Sequence, residues 1–285
     1  MDRYRILFVQ HVGVLGGSAR SMIETINTLT RNGVQCEVIC PSGKINKILK
    51  DSSISVIANF RMTQFNHTEH GYYNGIRWFL LLREFFLLFR NLYGLLKISK
   101  KINNYDVIHI NEHTMLFNIL FFKMFFNKKV VTHVRCLIND KKISLRYKIV
   151  NYIIHRFSDA VVAIDESVKK TLVSDEHNWV IHNGLFIPDN ISIQQKIDRK
   201  SDRIFTFGMI GVISKYKGVF EFAKAAEIFK KNGLNARFVY VGGRAREKRG
   251  IDKILEKLNL YEDSSTKIKE YISENGLNNV DFWGF

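Results

Sequence analysis

The chain has 285 residues, 46% of them hydrophobic, which is enough to bury a sizeable core and gives a length prior of about two domains. That apolar content excludes an intrinsically disordered chain; Lys and Arg number 43 against 27 Asp and Glu, a formal net charge of +16, which favours anionic partners: phosphorylated small molecules, acidic lipid surfaces or nucleic acid. Three cysteines, Cys36, Cys40 and Cys136, are too few and too unevenly spaced for a disulfide framework or a four-ligand zinc site, which points to a reducing compartment.

Residues 1–5 are charged and the apolar run 6–9 is short, so no secretory signal is expected and a cytoplasmic protein is. Residues 5–10 read as the first strand, followed by a loop carrying Gly13, Gly16 and Gly17 and a helix over 19–31 with Met22, Ile23, Ile26 and Leu29 on one face. Asn32-Gly33 stops that helix, residues 34–40 form the second strand, Pro41-Ser42-Gly43 turns the chain, and 54–57 is a short strand. Residues 76–99 read as a helix with Trp78, Phe79, Phe85, Phe86, Phe89 and Tyr93 on more than one stripe, which is either deeply buried or membrane-facing. Arg77, Arg83, Glu84 and Arg90 interrupt it, so it is not expected to span a bilayer.

Short β-branched runs at 107–110, 130–133 and 160–164 continue the winding, and Val180 and Ile181 end another strand. The polar segment 189–203 is the best boundary, giving an N-terminal domain over 1–188, a linker over 189–203 and a partial second domain over 204–285. There the rhythm restarts: strand 205–210, helix 219–231, strand 236–241, helical stretches 253–258 and 266–274, strand 280–283. Alternating strands and helices predict an α/β fold with parallel sheets, and the shortness of the second unit predicts an incomplete domain.

Glycine-rich turns between a strand and a helix let backbone N–H groups approach phosphate, with the helix terminus adding partial positive charge. Three such places stand out. Gly13, Gly16 and Gly17 follow the first strand but do not fit the dinucleotide spacing G-x-G-x-x-G, so a nicotinamide or flavin enzyme is disfavoured. Gly208, Gly211, Lys215, Lys217 and Gly218 precede the helix 219–231, where a flexible ammonium and helix amides would suit a diphosphate. Gly242, Gly243 and Arg244 end the next strand in the same way. His109 and His133 lie at strand ends, where a histidine can hold or exchange a proton near neutral pH. No histidine or cysteine spacing indicates a metal, there is no G-x-S-x-G elbow, and nothing marks Cys136 as a nucleophile.

In order, the segments GGSAR, DVIHIN, VVTHVR, VVAIDESVKKTLV, VIHNGLFIP, IGVISKYKGVFEFAKAA, FVYVGG and VDFWGF resemble the retaining glycosyltransferases of family 4 with the GT-B fold, over almost the whole chain. The resemblance implies two Rossmann-like domains, the first for the acceptor and the second for a nucleotide diphosphate sugar. It implies that Gly16 and Gly17 border the donor diphosphate and sugar, that His133 contacts the transferred sugar and that Lys217 neutralises the leaving diphosphate; the loop and strand-end positions add Gly211, Lys215, Gly218, Gly242, Gly243 and Arg244 to the expected donor site and His109 and Arg135 to the expected acceptor site. Val212 stands where many members carry an arginine, and the family's paired glutamates would lie beyond Phe285, so the second domain is read as truncated. Glu262 and Glu270 have the spacing of that pair but read as a solvated helix face.

The expected reaction is sugar transfer with retention, in cell-surface polysaccharide or glycolipid assembly, with lysine and helix amides in place of a metal and no cofactor beyond the sugar nucleotide. Basic and aromatic residues interleaved over 77–101 suggest an anionic membrane surface as a partner and a saccharide or lipid-linked acceptor, the protein lying peripherally on the inner face. Three rivals stand beside this reading: a truncated, inactive remnant that only binds an acceptor or partner, a nucleic-acid binder, which lacks any recognition motif, and a sugar-nucleotide epimerase.

Overall fold

The computed structural model describes residues 4–66, 68, 75–138, 144–173, 176–184, 204–243 and 263–284. The chain divides into two compact units, Met1–Asp189 and Asn190–Phe285. The expected linker residues 189–203, the expected helical stretch 253–258, Arg244 and Glu262 lie outside the described residues.

The first unit is wound as β1 (Arg5–Val9), α1 (Gly17–Arg31), β2 (Gln35–Cys40), α2 (Lys44–Asp51), β3 (Ser55–Asn59), α3 (Phe79–Lys97), α4 (Ser99–Ile102), β4 (Val107–Ile110), α5 (Leu116–Phe126), β5 (Lys129–Val134), α6 (Leu145–Phe157), β6 (Ala160–Ala163), α7 (Glu166–Lys170) and β7 (Asn178–Val180). Its seven strands form one sheet in the order β3-β2-β1-β4-β5-β6-β7, and every adjacent pair is parallel. Side chains alternate across the sheet, so β1 sends Leu7 and Val9 into one core cluster and Phe8 into the other. Helices cover both faces, and this is why the strands read as nearly continuous apolar runs rather than alternating ones.

Most strands start or stop within a residue or two of where the pattern places them. The helix expected over 76–99 is shorter, because Gly75–Trp78 forms a 3₁₀ turn before α3 begins. Nor is α3 deeply buried. Phe79, Phe85, Phe86, Phe89 and Tyr93 are each more than half exposed, while the polar Glu84 and Asn91 are buried. The Glu84 carboxylate accepts from the Gln64 backbone N–H at 2.8 Å, and Asn91 donates to Asn118 of α5 at 2.9 Å, so hydrogen bonds seat this helix on its polar side.

The second unit contains β8 (Phe205–Ile210), α8 (Val219–Lys231), β9 (Ala236–Val241), α9 (Ser264–Glu274) and β10 (Val280–Trp283). Its strands form a parallel sheet ordered β10-β9-β8. The core gathers Ile213, Val219, Ala223, Tyr240 and Ile268. Tyr240 stacks on Phe282 with ring centroids 5.0 Å apart, and its hydroxyl donates to the Val219 carbonyl at the start of α8.

Candidate functional site

In the first unit the sheet order reverses between β1 and β4, since the chain leaves β1 for β2 and β3 on one side and resumes at β4 on the other. The loops from adjacent strands diverge there and leave a crevice at the carboxyl ends, the usual place for a ligand in an open α/β sheet. Gln10, Asn111, Glu112, His113, His133 and Arg135 follow or close β1, β4 and β5, and all are buried although polar.

These groups form one network. Asn111 Nδ2 donates to Gln10 Oε1 at 2.6 Å and to the Ser18 carbonyl at 3.2 Å. Arg135, expected to reach the acceptor, turns its guanidinium on the protein: Nε donates to Asn111 Oδ1 at 2.9 Å, and Nη1 to Ser21 Oγ at 2.9 Å and Asn183 Oδ1 at 3.2 Å. Ser21 donates to the same Asn183 oxygen at 2.7 Å, tying the first turns of α1 to the segment after β7.

His109 stacks on Phe8, with ring centroids 4.5 Å apart, and lies 5.5 Å from the His133 ring. Burial, reinforced by the Arg135 charge, lowers the His109 pKa to about 3. The same two causes, with His109, lower His133 to about 2. His11 is also held below its ordinary value, chiefly by burial. The three imidazoles are therefore neutral near pH 7, and His11 Nδ1, His109 Nε2 and His133 Nε2 are buried without a hydrogen-bond partner among the described residues. Buried ring nitrogens left unpaired at the strand ends suit a ligand that completes them.

Glu112, His113 and Cys136 were not anticipated as a group from the sequence. They place a carboxylate oxygen, a ring nitrogen and a thiol within 4.8 Å of one another, the one trio among the described residues with the donors for a metal. They also pair among themselves. His113 Nδ1 lies 2.6 Å from Glu112 Oε1, and Cys136 Sγ lies 3.7 Å from each carboxylate oxygen. Burial opposes ionisation of Glu112, but His113 outweighs it and holds the carboxyl below its usual range, while burial and then Glu112 push the Cys136 thiol far up. A protonated thiol of this kind is a poor nucleophile.

Gly16 caps α1 and Gly17 opens it, a Cβ at either would meet nothing within 4 Å, so packing does not require glycine there, and no side chain caps the helix. Gly13 differs: a Cβ there would fall 2.7 Å from the Ser42 carbonyl, so this glycine serves the close approach of two loops.

In the second unit Gly211 follows β8 with φ +147° and Gly242 follows β9 with φ +144°, conformations that favour glycine. A Cβ on Gly242 would collide with the Gly211 carbonyl. Gly211 donates to the Val241 carbonyl at 2.9 Å, and Ile213 to the Gly243 carbonyl at 3.0 Å, so the loops are stitched side by side. Lys215 and Lys217 form an exposed 3₁₀ turn, Gly218 (φ +79°) passes the chain into α8, and Gly211, Val212, Lys217 and Tyr240 line one small cavity. Each unit is thus a strand-end rim of glycines, with a buried polar network in the first and exposed lysines in the second.

The sequence matches the profile of Glycosyltransferase Family 4 over residues 15–185. No curated protein matches it significantly. Among solved structures it is similar to Anabaena Alr3699/HepE in complex with UDP and glucose, with a TM-score of 0.66 and 18% identity over 99% of this chain and 70% of that one. A glycosyltransferase from Rickettsia africae ESF-5 gives a TM-score of 0.62 and 21% identity, covering 100% of this chain and 69% of that one. The lipopolysaccharide outer core galactosyltransferase WaaB in its apo form gives 0.54 and 14%, covering 99% and 68%. At these identities the likeness is one of fold, and these neighbours are GT-B glycosyltransferases.

Proposed function

The chain belongs to glycosyltransferase family 4, and on that premise we propose that it moves a sugar from a nucleotide diphosphate sugar to an acceptor hydroxyl with retention at the anomeric carbon. The observation that carries the reading is the rim of the second unit, where Gly211 and Lys217 share a cavity beneath the start of α8. Breaking the donor bond builds negative charge on the departing diphosphate and positive charge on the ring, and fixed cations and N–H donors aimed at the phosphates stabilise that separation. Lys217, with Lys215 and the amides that open α8, supplies the positive end. Gly242 and Gly243 complete the proposed phosphate rim of the second unit, and within the first unit His133, Gly16 and Gly17 are the residues proposed for the transferred sugar. These groups do the work of a divalent ion in the proposed mechanism.

Solved neighbours hold UDP and UDP-glucose, which makes UDP the first probe. Titration calorimetry should show UDP binding that EDTA leaves unchanged, and Lys217→Met should weaken it by about tenfold or more, the scale of one charge-assisted phosphate contact. Binding without any sugar transfer would mark a protein that only holds its ligands. Absence of binding by UDP and every other nucleoside diphosphate would overturn the proposal.

The acceptor is proposed to be a saccharide carried on lipid at an anionic membrane. Support comes from α3 and α4, whose exposed face sets Phe79, Phe85, Phe86, Phe89 and Tyr93 among Arg83, Arg90, Lys97, Lys100 and Lys101. The one acidic residue of these helices, Glu84, is buried. No helix among the described residues is long and apolar enough to cross a membrane, so the contact proposed is with the surface.

A further inference from the structure

His133 has one ring nitrogen committed and one waiting. Arg135 Nη2 lies 3.2 Å from His133 Nδ1. A guanidinium offers N–H donors and no acceptor. Burial lowers the Arg135 pKa and Glu112 partly restores it, leaving it at about 10, so the group is charged at neutral pH. Nδ1 must then accept, and the single proton of the neutral ring sits on Nε2. The guanidinium has no freedom to turn away, because Nε is fixed on Asn111 and Nη1 on Ser21 and Asn183, and Asn111 is itself held by Gln10.

The other nitrogen, Nε2, is buried and has no partner among the described residues. The titratable and charged groups around His133 are His109 from β4 and Arg135, with Glu112, His11 and His113 beyond the guanidinium. Burial, Arg135 and His109 all disfavour a second proton on the ring.

We propose that Arg135 is a positioning residue: it fixes His133 as the uncharged Nε2–H tautomer, so the ring presents one hydrogen-bond donor to a ligand oxygen entering at the carboxyl ends of β4 and β5, and cannot act as a base. The ligand in this statement rests on the glycosyl-transfer reading, whereas the tautomer does not. The consequence for that reaction is specific. A displacement that inverts the sugar carbon requires the acceptor hydroxyl to pass its proton to a base. Both His133 nitrogens are closed to that proton, Nδ1 by the guanidinium and Nε2 by its own hydrogen. In the proposed transfer His133 therefore orients an oxygen, and the acceptor proton, which must be lost whether the sugar carbon is inverted or retained, leaves by a route that does not use this ring.

The test is long-range proton–nitrogen NMR on the full chain labelled with nitrogen-15 histidine, with His133→Gln used to assign the signal. The wild-type protein should show His133 as one neutral tautomer, protonated on Nε2, with no titration between pH 5 and 8. Arg135→Met should let the second tautomer appear, or bring the ring's titration into that window. A wild-type ring protonated on Nδ1, or one that titrates near neutrality, overturns the proposal without any variant. So does a folded Arg135→Met protein whose His133 signal is unchanged. Should that variant fail to fold, Arg135→Lys, which keeps the charge but lacks the fork, should show the mixed tautomers instead, and an unchanged spectrum there also overturns it. None of these readouts needs sugar transfer, so failure of the transferase reading and failure of the tautomer are seen separately.

Discussion

His11, His109 and His133 share one electrostatic fate, and it makes the first unit sensitive to acid. Each has a folded pKa below the 6.5 of a free imidazole. The unfolded chain takes up protons near 6.5 while the folded chain does not, so the stabilisation is complete above that pH and is lost as the pH falls from it toward about 3 for His109 and about 2 for His133. His109 and His133 each contribute a slope of at most about 1.4 kcal/mol per pH unit, so the two together approach about 3, and His11 adds in the same direction. Urea midpoints should drop steeply between pH 7 and pH 5, above the range in which carboxylates titrate, and His109→Leu should make that drop clearly shallower. A midpoint that does not move across that interval would refute the account. The candidate site was legible in part. Gly16, Gly17, Gly211, Lys217 and Gly242 announce themselves because strand, glycine and helix are contiguous in the chain. The network around Arg135 was not legible: Ser21 and Asn183 are separated by 162 positions, and nothing in either neighbourhood signals the other.

At the scale of elements, α3 shows why hydropathy alone misleads. Its leucines and aromatics are compatible with a deeply buried helix or a membrane-facing one, and its buried face includes Glu84 and Asn91, whose partners Gln64 and Asn118 belong to other segments. Once those polar groups are satisfied inside, the aromatics are left outside. Phe85 packs edge-to-face with Phe89 at 5.2 Å, so the exposed rings support one another rather than the core. An apolar face flanked by bases matches an interfacial helix, where rings enter the acyl boundary and cations sit among headgroups. Flotation with vesicles containing anionic lipid should therefore carry the protein upward at low salt, and Phe86→Glu with Phe89→Glu should reduce the bound fraction about tenfold or more without changing the fold by circular dichroism. Recovery of wild-type protein only in the bottom fraction at low salt would remove the membrane reading. The strands, by contrast, followed the sequence closely, because a parallel sheet covered on both faces demands apolar residues at every inward position and tolerates few elsewhere.

At the scale of the whole molecule, the two sheets differ in how their edges and faces are covered. In the three-stranded sheet β8 stands at one end, and among the described residues no strand pairs with its outer edge. Phe205 is 77% exposed and Ile210 83%, one on each face of an unpaired strand. Such an edge invites another chain to add to it. Sedimentation velocity should show association that grows with protein concentration, and Phe205→Lys with Ile210→Lys should shift the distribution to the single chain. A wild-type protein that stays a single species at high concentration would show that the edge is protected.

The strand order of the larger sheet has a consequence for synthesis. Ile6 pairs on one side with Cys36, which follows it early, and on the other with Val107, which leaves the ribosome much later. Until β4 emerges, the nascent chain holds β1 with one flank unsatisfied, and closing so long a loop is entropically slow. The crevice and its buried imidazoles are assembled by that late closure, so substitutions in β4 should burden chaperones during translation more than equally buried substitutions in β2.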